Sequence, residues 1–457
     1  MTEPENIHRF KEWLTGNGGK IHPDLRFEAD DSGFSVIAAQ DIPPESTVIS
    51  CPFSLTVTPE LSTHALLSLF KTDHTTVLDS WSERQLICTY LCMHWIADSP
   101  EYVLACLTGR VPRSHPGPDL RYSPALLHTP YLSTLPSADK LRTPLHFTPA
   151  ELDALRGSNL HGATLDRQRE LQAEWAQCQT IVAAANEDWG LRFTWYTHAT
   201  ASPRTQYLAA ATYLSSRAFP STLLSSSPSL VSTPDSYPVL LPGVDSLNHA
   251  RAQPVSWVVS GISGGDTNTD TESSDLAVSL LLHSPTPRGA ELLNNYGPKP
   301  NAELVLGYGF ALPSNPDDTI VLKIGGAPGS GALAGGRWEV GRGAQGAGPL
   351  WDAILTAVCE GAEEEEEPDV DDELCAADML LGMARNLLER LPRAPQPDEA
   401  AGIRADVARM IGYYLEGQRD ILQSLMHLAE DKTHKAEEAA RALGLEVVDE
   451  GEDEDEE

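Results

Sequence analysis

An α+β fold is predicted for this chain: a β core split by a helical insert, followed by an all-α C-terminal domain and an acidic disordered tail. Three observations predict it. Short apolar runs rich in β-branched residues, bounded by Pro and Gly, fall at 33–57 and again within 239–310, as strands do. Between them, 61–200 carries Leu, Ala and Trp at helical intervals over 62–70, 81–97 and 163–188, with Pro-rich connections at 112–149. Beyond 350, helical patterns cover 350–359, 373–391 and 399–443. The chain therefore divides into a first domain at 1–312 with its insert at about 61–200, a helical domain at 313–444 and a tail at 445–457.

At 457 residues the chain exceeds one ordinary domain and can bury a real core. Its 66 Asp and Glu against 32 Lys and Arg give a formal net charge of −34. That balance argues against bare nucleic acid or an anionic membrane as partner and favours a basic protein. Seven cysteines, an odd number without a C-x-x-C, read as reduced thiols. The opening MTEPENIHRFKEW lacks the apolar core of a signal peptide, and no apolar run is long enough to span a bilayer. The expectation is a soluble monomer of the cytosol or nucleus.

Taken in order, Ile7, Phe10, Trp13 and Leu14 share one face of a helix over 6–15, closed by the turn at Gly16, Gly18 and Gly19. Gly33 to Ala39 and the following DIPPESTVISCPFSLTV give two or three short strands. In the insert, Cys88 and Cys92 stand at i, i+4 near His94 on an apolar helix and read as core residues, so no metal is expected. RTQYLAAATYLSSRAF at 204–219 is a helix stopped by Pro220. Ser221 to Ser236 and 261–275 are loops, the second an excursion between the strands VSWVV and LAVSLLL. TIVLKI is a further strand. The glycine run after it matches the letters of a dinucleotide fingerprint at Gly329, Gly331 and Ala334, but its further glycines exclude the helix such a site needs.

The chemistry concentrates in 239–310. VLLPGV is a short strand-like run, and Asp245, Asn248 and His249 crowd its end; alone they read as a turn. Asn295-Tyr296-Gly297, Asn301-Ala302-Glu303-Leu304 and Gly307-Tyr308-Gly309-Phe310 then follow in order. This series resembles the SET-domain protein lysine methyltransferases, in the branch of the Rubisco large-subunit methyltransferase, and in texture the fungal ribosomal-protein lysine methyltransferases of that branch.

The resemblance implies a pseudoknotted SET β core with a helical insert, a helical substrate-binding domain, and S-adenosylmethionine as methyl donor. It assigns Tyr296 as the active-site tyrosine and Asn248 and His249 to the cofactor. Asp245 lies beside cofactor and substrate, and Tyr308 and Phe310 wall the methyl-transfer channel, Phe310 also touching cofactor. Ser216-Arg217-Ala218-Phe219 matches the S-R-x-F of the same branch, which places Arg217 against cofactor and substrate. The turn at Ser32, Gly33 and Phe34 matches the opening segment that touches cofactor through its backbone. Two positions depart from the pattern: Ser32 replaces an acidic residue and Ser35 a second glycine.

Methyl transfer from a sulfonium needs a neutral amine, whereas free lysine has a pKa of about 10.4. A channel walled by Tyr296, Tyr308 and Phe310 would exclude water and lower that pKa, with Tyr296 orienting the amine rather than acting as base. The expected function is thus protein-lysine N-methyltransfer to a non-histone, basic protein, with a ribosomal protein as one candidate. Two other readings stand beside it: a non-catalytic SET-fold binding module and an acidic chaperone-like escort. The acceptor residue, lysine or histidine, stays open at this level.

Overall fold

The computed structural model describes residues 3–30, 33–71, 78–98, 123–195, 207–261, 276–323, 336–359, 368–395 and 402–445. Ser32, most of the 261–275 excursion, the 324–335 glycine run and residues 446–457 of the tail lie outside them. Two compact units are present: 1–146 with 166–298, and 147–165 with 299–457.

In the first unit, the opening helix Glu5–Gly16 buries Ile7, Phe10 and Leu14, the stripe that its sequence spacing predicts. The main sheet has the order β1-β4-β9-β8, with β1 at Lys20–Ile21, β4 at Ser46–Pro52, β8 at Val255–Gly261 and β9 at Leu276–Leu282. Its pairings are all antiparallel. Val48, Ile49, Ser50 and Cys51 are buried in succession, so β4 is covered on both faces. Ser50 and Ser279, opposite each other in that register, share a buried hydroxyl hydrogen bond of 2.7 Å. Chain position and register thereby bring β9 back onto β4, which lies over 200 residues earlier.

Smaller pairings carry the candidate site. The hairpin of β2 (Leu25–Ala29) and β3 (Phe34–Ala38) holds Gly33 in its turn. The strands β5 (Phe219–Pro220) and β6 (Pro238–Val239) pair antiparallel. Two-residue strands β7 (Asn248–His249) and β10 (Leu293–Asn294) pair in parallel. The strand expected over VLLPGV is shorter than its composition implies: after Val239 only Leu240 bridges to Val57, and a single tight turn covers Val244–Ser246. Pro242 and Gly243, the latter at a φ of +90°, end it.

The helix Glu83–Ala97 is buried from Gln85 onward and starts in a capping box between Ser82 and Gln85. Cys88 and Cys92 are core residues there, and among the described residues no group of His, Cys, Asp or Glu could hold a metal ion. The helix Tyr207–Arg217 buries residues 207–214 and ends on Arg217.

Helices dominate the second unit: Gly348–Val358, Val370–Arg390 and Ala405–Leu443. One small sheet adds to the all-α domain expected there, β11 (Thr319–Leu322) against β12 (Trp338–Gly341). Residues 299–312, which the sequence reading joined to the β core, pack in this unit. Val305 is buried in one cluster with Leu155, Val407, Ile411 and Tyr414. Glu151, fully buried, receives Arg404 Nε on one carboxylate oxygen at 2.8 Å and Nη2 on the other at 2.7 Å. Among the described residues no helix is long and apolar enough to cross a membrane.

Candidate active site

The turn at Gly33 is closed from within. Asp30 Oδ1 accepts the Gly33 N–H at 2.7 Å, its Oδ2 accepts the Ser35 hydroxyl at 2.8 Å, and the Asp30 N–H donates back to the Gly33 carbonyl. Gly33 adopts a φ of +145°, a conformation that a side chain would strain. Ser35, the departure noted in the sequence, thus anchors the turn through a side chain that a glycine lacks. Phe34 opens β3 and is half-buried, and Ser32 lies outside the described residues.

Ser35 also receives the Asn248 amide, Nδ2 to Oγ at 3.4 Å, and the same Nδ2 donates to Glu291 Oε1 at 2.7 Å. Asn248 is exposed, so the hairpin turn, β7 and Glu291 meet at a solvent-facing edge. One residue on, His249 accepts the Tyr296 backbone N–H at Nδ1, 3.0 Å away. That bond fixes the neutral ring as the tautomer with its proton on Nε2. The Tyr296 ring stacks on His249 with centroids 5.0 Å apart and planes 26° apart, and its hydroxyl donates to the Leu247 carbonyl at 2.8 Å. Tyr296 is therefore held by Leu247 and His249, the two residues that flank Asn248.

Asp245 lies just before them and is buried. Its Oδ1 accepts the Gly243 N–H at 3.1 Å and its Oδ2 the Tyr131 hydroxyl at 2.5 Å. Arg217, at the end of its helix, donates to the Asp245 backbone carbonyl at 2.8 Å and keeps Nη1 3.8 Å from Oδ2. Burial pushes the Asp245 carboxyl up, and the Arg217 charge and the Tyr131 hydroxyl oppose that push. For Arg217, burial works against the charge, yet Asp245 and the neighbouring tyrosines raise it further, so the guanidinium stays charged.

Tyr308 and Phe310 belong to the second unit, where their rings meet edge to face with centroids 6.2 Å apart. Lys299 sits 5.6 Å from the centre of the Tyr308 ring and pairs with Glu303. Burial raises the Tyr308 phenol, with Lys299 opposing.

The structure thus brings Gly33, Arg217, Asp245, Asn248, His249 and Tyr296 into one hydrogen-bonded neighbourhood of the first unit. Sequence reasoning missed Tyr131, Glu291 and Asp30. Tyr131 comes from the Pro-rich part of the insert, where a short helix at Thr129–Leu132, with Pro in its first turn, was the only local signal.

No family model matches the chain. It is 29% identical over 314 residues to ribosomal lysine N-methyltransferase set10 of Schizosaccharomyces pombe, covering 67% of this chain and 46% of that protein. It is also 29% identical over 224 residues to ribosomal lysine N-methyltransferase 1 of Saccharomyces cerevisiae, covering 43% of this chain and 34% of that protein. The chain thus spans less than half the length of these curated relatives. Among solved structures, the SET domain of LSMT bound to lysine and AdoHcy matches with a TM-score of 0.66 at 16% identity, over 97% of both chains. Rubisco LSMT bound to AdoMet matches with a TM-score of 0.63 over 98% of both. With these matches covering nearly all of both chains, this chain has the fold of the SET-domain structures of LSMT.

Proposed function

We propose that this chain is an S-adenosylmethionine-dependent protein-lysine N-methyltransferase of the cytosol or nucleus. Its proposed substrate is a basic non-histone protein, and a ribosomal protein is the class that the names of its relatives favour. The observation that carries the reading is the posture of Tyr296, stacked on His249 with its hydroxyl bound to the Leu247 carbonyl. The net charge of −34 suits a basic substrate.

The residues present fit the methyl donor by their donor chemistry. Asn248 is exposed, and His249 carries its proton on Nε2 through the bond at Nδ1. Asn294, opposite His249 in the β7–β10 pair, is fully buried with an Nδ2 that has no hydrogen-bond partner among the described residues. A ligand with ring nitrogens and a carboxylate offers acceptors to such groups. When bound, S-adenosylmethionine supplies a methyl group on a sulfonium.

The Tyr296 O–H donates its hydrogen bond to the Leu247 carbonyl, so its oxygen can accept an N–H from an incoming amine. That is positioning, and it aligns the nitrogen lone pair without taking a proton. Arg217 and Asp245, tied to each other and to Tyr131, are assigned to substrate and cofactor contact. Tyr308 and Phe310 are assigned as the aromatic walls that exclude water and favour the neutral amine.

Incubation with labelled S-adenosylmethionine and basic ribosomal proteins tests the reading, with calorimetry on S-adenosylhomocysteine beside it. Label in protein lysine supports it. Neither heat nor label would make the chain a SET-fold binding module instead, and heat of binding without label would remove basic ribosomal proteins as the acceptors.

A further inference from the structure

The segment that carries Tyr308 and Phe310 is closed by one residue. Asn301 donates Nδ2 to the Leu312 carbonyl at 2.9 Å and accepts the Leu312 N–H on Oδ1 at 2.8 Å. Both aromatic residues lie inside the loop so formed. Asp318, buried, holds Asn301 in turn: Oδ1 accepts its backbone N–H at 2.7 Å and Oδ2 its Nδ2 at 3.1 Å. Asn315 reaches back to the Lys299 carbonyl at 2.8 Å.

Arg342 joins this clamp to the long C-terminal helix. Its Nη2 lies 3.2 Å from Asp318 Oδ2 and its Nε donates to the Asn315 carbonyl at 2.8 Å. The fork then engages Glu416 through both Nη atoms, at 2.9 and 2.6 Å, and Nη1 lies 3.1 Å from Asp420. A planar guanidinium satisfies these directions together; an ammonium does not. The helix is shaped for the approach. A Cβ at Gly417 would stand 2.1 Å from Asp318 Oδ2, so the residue after Glu416 has to be glycine for the carboxylate to fit.

We infer that Arg342 is a positioning residue for the proposed methyl transfer, holding the Tyr308–Phe310 segment in place from the C-terminal helix through Asp318 and Asn301. This inference rests on the function proposed above. It makes the C-terminal helix a structural support of the aromatic wall.

The test compares the full-length wild type with Arg342→Met, Arg342→Lys and Gly417→Ala. Hydrogen–deuterium exchange is read over 301–312 and over 244–249, and kcat and KM are read with labelled S-adenosylmethionine. In Arg342→Met and Gly417→Ala, exchange over 301–312 is expected to rise about tenfold while 244–249 is unchanged. In both, kcat falls about tenfold or more, and KM for S-adenosylmethionine holds within about twofold. Arg342→Lys falls between wild type and Arg342→Met. Unchanged exchange over 301–312, or an equal rise over 244–249, overturns the inference. An active wild type whose kcat is unmoved in both variants overturns the positioning role alone, whereas a wild type that transfers no methyl group overturns the functional reading and the role with it.

Discussion

The Tyr131 hydroxyl donates to Asp245 Oδ2 at 2.5 Å, with both side chains buried and 114 positions apart in the sequence. This bond ties the helical insert to the residue that precedes Asn248 and His249. It also supplies one of the donors that oppose the upward push of burial on the Asp245 carboxyl. Tyr131→Phe keeps the ring and its contact with Phe10, 6.4 Å away, and removes only the donor. A hydrogen bond to a charged group contributes about 1.5–3 kcal/mol, so the variant should lose about that much stability in urea titration. An unmoved midpoint would show that Asp245 finds another donor.

Asn248→Ala should leave the fold intact, because the side chain is exposed and its bonds run to Glu291 and Ser35 at the surface edge. Affinity for S-adenosylhomocysteine should fall by about tenfold, the equivalent of about 1.4 kcal/mol. Calorimetry with wild type and variant at matched thermal midpoints checks it. Equal affinities would take Asn248 out of the cofactor site.

Much of this was readable in the sequence, and the parts that were not share a cause. The opening helix was legible because Ile7, Phe10 and Leu14 repeat at helical spacing, and β4 and β9 because their apolar runs end at Pro and polar turns. Asn248, His249 and Tyr296 were legible as a motif. Tyr131 and Glu291 were not, since each enters through one tertiary hydrogen bond that no local pattern announces. The grouping of 147–165 with the C-terminal helices was hidden for the same reason: Glu151 and Arg404 are 253 residues apart.

That pair carries its own prediction. Glu151 is fully buried while Arg404 is 30% exposed, and burial of the carboxylate is outweighed by the Arg404 bonds and the Thr148 N–H, so its pKa is lowered. Breaking a fully buried pair costs about 3–5 kcal/mol, and the exposure of Arg404 discounts this to about 2–4 kcal/mol for Glu151→Ala. A carboxylate with a depressed folded pKa stabilises above its unfolded pKa of about 4.3 and loses that contribution as pH falls through the folded value. Wild type should therefore lose stability relative to Glu151→Ala below about pH 4, as read by denaturation midpoints across pH.

His94 and His128 act on a higher pH range. His94 Nδ1 bonds the Tyr90 carbonyl and its Nε2 accepts the His128 N–H, while His128 accepts the Tyr90 hydroxyl and bonds the Leu55 carbonyl. Every ring nitrogen is thus used by a neutral ring. Burial, with His128 adding to it, lowers His94 to about 3, and burial lowers His128 to about 4. The unfolded chain takes up protons at these residues from about pH 6.5 downward and the folded chain does not. Their contribution is present above pH 6.5 and is lost as pH falls toward about 4, by up to about 1.4 kcal/mol per pH unit for each residue. His128→Asn should flatten the slope of stability against pH between these limits, and an equally steep slope would contradict the assignment.

Tyr296→Phe separates posture from chemistry. The ring stack on His249 and the backbone bond to its Nδ1 survive the change, because neither uses the hydroxyl. What disappears is the bond to the Leu247 carbonyl and, with it, the oxygen that the proposed mechanism aims at the amine. Binding of S-adenosylhomocysteine should stay within about twofold of wild type, since a loss felt only as the amine is aligned leaves ground-state affinity unchanged. kcat should fall by about 10²-fold, the scale expected when one orienting contact at a reacting atom is lost. A variant that binds as tightly and transfers as fast would leave Tyr296 as a packing residue, whereas a fall in kcat with binding preserved is the signature of a group that orients the reacting nitrogen.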